Sequence, residues 1–265
     1  MNSTARYALF FIVVLLANIM QTITGFAGTV LAMPFSIILI GGEEARLILN
    51  ILGIAASLGV VLLNFKAINW KEVLKICIVM AAGMAIGFII IHYADVSKQI
   101  LYFILAGFVL LFTIIGIYTT FFKKEKVLEE GEVDKYAKIK EVMLYVILVV
   151  AGVVHGMFVC GGPLLIIYAT KKLKDRDEFR STLSMVWVVL NIVNLVRDII
   201  AGAFTAENVG HLMAVLGISL AVLVGAIIVG NLIAKKLNKK AFMLITYILM
   251  VISAVSLILN ACGIF

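Results

Sequence analysis

The sequence predicts an all-α integral membrane protein made of two inverted repeats of about five helical elements each, every repeat opening with a broken, re-entrant helix. Three observations lead there. The chain is a succession of long apolar runs, one polar stretch divides it into similar halves, and both halves begin with a matching break that carries glycines and a proline. Of 265 residues, 64% are apolar and only 14% charged, with a mean hydropathy of +1.18. A soluble chain carries about a quarter charged residues. The few charges here cluster between the runs, which leaves no room for a separate soluble domain.

The apolar segments are read at 7–24, 28–41, 46–65, 72–93, 99–122, 142–160, 162–173, 180–203, 209–234 and 241–262. Residues 1–122 form the first membrane repeat, 123–141 a cytoplasmic linker loop, and 142–265 the second repeat. Tyr7 to Gly41 would be about 52 Å long as one helix at 1.5 Å per residue, against a hydrocarbon core of roughly 30 Å. The run is therefore broken, within Gln21 to Phe35, and its counterpart is broken within Gly152 to Tyr168. Each break precedes an E-x-R triplet that opens the next helix, Glu44-Ala45-Arg46 and Glu178-Phe179-Arg180.

Charge decides whether a broken run crosses or returns. If each returns to its starting side, every Lys and Arg except Arg6, Arg46, Lys98 and Arg197 falls on one face; if each crosses, the 22 divide evenly. The positive-inside rule prefers the first arrangement, with both termini outside. The net charge of +7 thus belongs to topology signals and lipid anchors, and nucleic acid is excluded as a partner. A cleaved signal peptide is not expected, because a single Arg precedes the first run and no small-residue cleavage site bounds a short core. Cys77, Cys160 and Cys262 have no paired spacing, so neither a disulfide, a metal site nor a cofactor is implied.

Irregular backbone at membrane depth survives only against protein or a water-filled cavity. Paired breaks in inverted repeats are where carriers bind, since the start of a half-helix offers free N–H groups and a partial positive charge. Gly25, Gly28, Gly161 and Gly162 allow close backbone approach, and Pro163 suits the first turn of a half-helix. This geometry favours a small anion. Gly and Pro that only pack or kink helices are the plainer alternative.

Near the breaks, Gln21, Thr22, Thr24 and Tyr168 supply hydrogen-bond donors, and His155 suits either a proton shuttle or a structural bond. Cys160 reads as packing. On the helix from Arg180, Ser184, Asn191, Asn194 and Asp198 make one polar stripe. Arg197, near the outer end, must pair, line water or snorkel, and Asp198, adjacent in sequence, points elsewhere and is not its automatic partner. Arg46 and Arg180 match across the repeats as entry charges or anchors. The chain has no phosphate-binding G-x-x-x-x-G-K-[ST] loop, no His-x-x-x-His helix, no serine–base pairing and no haem-attachment motif, so an enzyme is not indicated.

At the two breaks the sequence resembles the TauE/SafE family of sulfite and organosulfonate exporters. The residues are TGFAGTVLAMPF, in which Gly25 and Phe26 open the family's Gly-Phe break, and HGMFVCGGPLLIIY, its Gly-Gly-Pro run ending in Tyr168. The stretch DEFRSTLSMVWVVLNIVNLVRDIIAG resembles its arginine-led helix. Ala27 and Thr29 stand where many members have glycine. The resemblance covers essentially the whole chain. It implies a multi-pass cell-membrane secondary transporter of a sulfur-containing or other small organic anion, coupled to a proton or sodium ion. A carboxylate carrier, and a non-transporting scaffold or enzyme subunit, stay open beside it.

Overall fold

The computed structural model describes residues 2–24, 28–93, 97–118, 137–173 and 175–234, with scattered positions between 244 and 263. All regular structure among them is helical: α1 (Ser3–Thr24), α2 (Gly28–Ile40), α3 (Gly42–Leu63), a 3-10 turn (Phe65–Ala67), α4 (Trp70–Tyr93), α5 (Lys98–Ile117), α6 (Ala137–Phe158), α7 (Gly162–Lys172), α8 (Arg176–Ile200) and α9 (Val209–Ala234). Seven of these, all but α2 and α7, are long and apolar enough to cross a membrane. Large apolar side chains such as Leu62, Leu74, Ile86, Ile114 and Leu232 stand exposed on the perimeter, as a lipid-facing surface requires. The 123–136 part of the expected linker, and Gly25 and Phe26, lie outside the described residues.

The helices α2 and α7 are too short to cross a bilayer. At 1.5 Å per residue their 13 and 11 residues reach about 20 Å and 16 Å, roughly half a bilayer core. Both return beside the start of the helix before them. Arg6 Nε donates to the Leu39 carbonyl at 2.6 Å. In the second hairpin Lys172 Nζ lies 3.3 Å from Glu141 Oε1, and the Tyr145 and Tyr168 rings meet at 6.1 Å. The E-x-R triplets sit within the first turns of α3 and α8, which begin four residues earlier than the sequence segments. Asp175 caps α8, accepting from the amides of Asp177 and Glu178 at 2.9 Å each.

The largest helix contacts are α4 with α6, α1 with α9, and α3 with α8. The first two pairs run parallel. Gly83 faces the Val149 carbonyl and Gly87 that of Val153, while on α6 Gly152 faces the Met80 carbonyl and Gly156 that of Met84. Two G-x-x-x-G strips thus bring the backbones together, which replaces hydrophobic drive where lipid surrounds the helices. For α1 and α9, Tyr7 bonds His211 at 2.7 Å near the starts of both helices, and Gly230 abuts Thr22 near their ends. The central pair, α3 and α8, is antiparallel. Arg46 meets Asp198 at one end, Asn50 Nδ2 donates to the Asn191 carbonyl at 2.9 Å, and beyond the end of α3 Asn69 Nδ2 donates to Glu178 Oε1 at 2.8 Å.

Candidate functional site

Six elements end or cross at one buried place. The last turns of α1 and α6, the first turns of α2 and α7, and the middles of α3 and α8 enclose a narrow cavity. Gln21, Thr29, Gly53, Ser57, His155, Val159, Gly162, Trp187 and Asn191 are among its walls. A second small space, between α1, α2 and α3, adjoins it through Gln21, Thr29 and Gly53 and reaches Asn18 and Gly28.

The lining explains the local folding. Gly28 begins α2 against the Gln21 side chain, with no room for a Cβ. Gly161 caps α7 pressed on the Ala151 carbonyl and the His155 Cβ, and proline occupies the first turn of α7. Between α6 and this cap, Val159 takes a left-handed φ of 57°, its N–H donating to the His155 carbonyl at 2.8 Å. A β-branched residue there is strained. Such strain persists only where the surroundings enforce it, and it gathers at functional sites. Cys160 is buried between the breaks, its thiol against the carbonyls of Phe158 (3.1 Å) and Thr29 (3.8 Å), a packing role.

The polarity of the cavity is unsatisfied. His155 is buried, its ring tilted against that of Trp187 at 5.2 Å and set beside the Asn191 side chain, the polar neighbour it has among the described residues. The side-chain oxygens of Asn191 in its wall, and of Asn194 and Asn50 just beyond it, are buried without a hydrogen-bond partner among the described residues. A buried polar group without a partner costs about 1–3 kcal/mol, so a cluster of them marks a place that a polar ligand completes. With the two half-helix starts beside it, the arrangement can donate hydrogen bonds to a small anion.

Of the residues expected from sequence, Gln21, Gly28, His155, Gly162 and Asn191 come together in these walls. Gly161 and Pro163 hold the start of α7 behind them. Asn194 lies one turn along α8, its Nδ2 donating to the His155 carbonyl at 3.4 Å. Thr24 ends α1. Tyr168 is elsewhere. Its hydroxyl donates to Glu72 Oε2 at 2.9 Å, and Glu72 also binds Lys75 at 2.6 Å, toward the lysine-rich face.

Arg197 stands at the far end of α8 and corrects the sequence reading. It binds Asp198 at 2.7 Å, the neighbour expected to point away, because Asp198 is wholly buried and the long guanidinium stem reaches back around the helix. Arg46 shares the same carboxylate oxygen at 2.7 Å, so it turns inward rather than anchoring in lipid headgroups.

Sequence reasoning missed Asn50, Gly53 and Ser57. With Arg46 they recur along α3 at steps of four, three and four, a stripe that faces α8. The signal was in the repeat. Gln21 and His155, Gly28 and Gly162, Gly53 and Trp187, and Ser57 and Asn191 are each separated by the same number of residues as Glu44 and Glu178. All eight line the two adjoining spaces.

The class this defines is a multi-pass helical membrane protein with a polar site enclosed where its broken helices meet. The chain belongs to the family described as Sulfite exporter TauE/SafE, whose model matches residues 10–257, both halves and both breaks included. That family is one of transporters, not enzymes. No curated protein and no solved structure matches the chain.

Proposed function

We propose that the protein is a secondary transporter of a small anion in the cell membrane, and that the anion binds in the cavity between the breaks. The observation that carries this is the meeting of the starts of α2 and α7 at one buried space, between unpaired polar side chains. Two helix starts, each worth about half a positive charge, face one volume whose lining among the described residues holds no Lys or Arg. A sulfur oxyanion such as sulfite or an organosulfonate suits that chemistry and the family's description. Gln21, Asn191 and the first N–H groups of α7 are its donors, and a proton or sodium gradient drives the cycle.

The halves, residues 1–122 and 142–265 around the linker, are read as an inverted repeat. In its support, α3 and α8 occupy equivalent places in the two halves and run antiparallel, as a two-fold axis in the membrane plane requires. Exchanging the halves also turns the α1–α9 contact into the α6–α4 contact, and both are parallel. The lysine-rich face is then cytoplasmic.

Counterflow in proteoliposomes with sulfite, sulfonates and carboxylates tests the reading. Exchange of a sulfur oxyanion is expected. Exchange of carboxylates alone would reassign the substrate, and no exchange of any anion would leave a scaffold. Gly162→Val, which crowds the start of α7, is expected to weaken apparent affinity by about 10- to 150-fold, the worth of one charge-assisted hydrogen bond.

A further inference from the structure

Beyond the cavity, where the start of α3 meets the end of α8, lies a second built arrangement of charge. Asp198 is wholly buried, and one of its oxygens, Oδ1, takes both Arg46 Nη2 and Arg197 Nη1 at 2.7 Å. Its other oxygen, Oδ2, is buried without a partner among the described residues, and so is Nη1 of Arg46. Arg197 also lies over the Phe88 ring, 5.0 Å from its centroid. The other acids nearby are Glu43, exposed in the first turn of α3, and Glu44, engaged with Tyr7 and His211.

The charges do not balance. Two guanidinium groups share one buried carboxylate, and Glu43, which also attracts Arg46, stands exposed, so the buried part of the cluster carries one net positive charge in a setting where an uncompensated charge is costly. A single monovalent anion would neutralise it. Access is asymmetric as well. The Arg46 and Arg197 side chains are 15% and 22% exposed while that of Asp198 is at 0%, so an anion from the aqueous side meets the arginines first, with Asp198 behind them. An arginine fork can take two oxygens of a planar carboxylate, or two of the three oxygens of a sulfonate, by paired N–H···O bonds. From the cluster, the buried polar groups of Asn194, Asn50 and Asn191 lead down α3 and α8 to the cavity.

We propose that Arg46 and Arg197 form an outer binding site for a monovalent oxyanion, in which Asp198 holds the anion's place in this conformation. An arriving anion takes over one guanidinium, loosens the tie between α3 and α8, and continues to the cavity. The route rests on the transport reading above, but binding at the arginines does not.

Calorimetric titration of the purified full chain with sodium methanesulfonate tests the site. It is done in an Asn191→Leu background, which weakens binding in the cavity about tenfold and so sets the two sites apart in the titration. Asp198→Asn removes the internal competitor and is expected to tighten methanesulfonate binding at least about tenfold, one charged contact's worth. Adding Arg46→Gln to Asp198→Asn should return the affinity to the parent's level or below. Arg197→Gln leaves a neutral Arg46–Asp198 pair, a change that folding tolerates best, and should abolish binding. Equal affinity in Asp198→Asn and its parent, with only a change in unfolding temperature, would make the cluster a structural tie and overturn the proposal. If Asp198→Asn does not fold, unchanged binding in Arg197→Gln overturns it alone. Failed anion exchange by the wild-type chain alongside tighter binding in Asp198→Asn would strike the transport reading and spare the site.

Discussion

The contacts of α4 with α6 and of α1 with α9 are both parallel, and each joins a helix from before the linker to one from after it, yet they are built differently. In the first, four glycines set backbone against backbone. In the second, one glycine meets a threonine side chain and a Tyr7–His211–Glu44 cluster closes the opposite end. Each contact grips a helix that ends at a break, α6 before Val159 and α1 before Gly25. The comparison teaches that the second break is clamped by four glycines set directly on backbone, whereas the first has one looser close approach, of Gly230 to Thr22 and the Ile19 carbonyl, and side-chain bonds at its other end that can rearrange. Rocking of one half against the other is therefore expected to be taken up at α1 and α9.

Matched alanine substitutions break that comparison most severely. Gly152→Ala would drive a Cβ into the Met80 carbonyl, and neither backbone can move aside without parting α4 from α6. Loss of most monodisperse protein on size exclusion is expected. Gly230→Ala places its Cβ 2.8 Å from the Thr22 Cβ, which demands only a shift of α1. Overpacking of this kind costs about 1–3 kcal/mol, so the variant is expected to fold with a lowered unfolding temperature and altered turnover. Equal damage from both would end the distinction between a fixed and a yielding side.

Asn191→Leu removes a donor from the shared cavity and sharpens the comparison at the site itself. A loss of apparent affinity of about tenfold is expected in counterflow, at equal amounts of folded protein. The smallest effect belongs to Val159→Gly. Glycine relieves a left-handed strain of about 1–3 kcal/mol but costs about 0.5–1 kcal/mol in backbone freedom and about 1.5–3 kcal/mol in lost burial of the Val159 side chain. The terms nearly cancel, so the unfolding temperature is expected to fall by no more than a few degrees, and a large drop would mean that Val159 packing far outweighs its strain.

The spans and the breaks were legible because bilayer thickness writes itself into run length, and because glycine and proline mark irregular backbone at depth. The polar stripe of α8 was legible as helical spacing. Its counterpart on α3 was not, since Asn50, Gly53 and Ser57 include only two polar residues within a long apolar run. Asp198 was misread for another reason. The direction of Cβ on a helix assigns neighbours to different faces, but an arginine stem is long enough to cross between them. Tyr168 was drawn to the site by nearness in sequence to Gly162, while one and a half turns of α7 carry it away to Glu72.

The central claim, that a transported anion occupies the cavity between the breaks, is tested most directly at Ser57, a small buried side chain in its wall. Ser57→Cys is placed in a chain whose Cys77, Cys160 and Cys262 are replaced by alanine, and its reaction with a negatively charged methanethiosulfonate is timed with and without the anion that exchanges in counterflow. The account predicts that saturating anion slows labelling several-fold, and that a non-transported anion at equal ionic strength does not. Labelling at the same rate in the presence of the transported anion would contradict it.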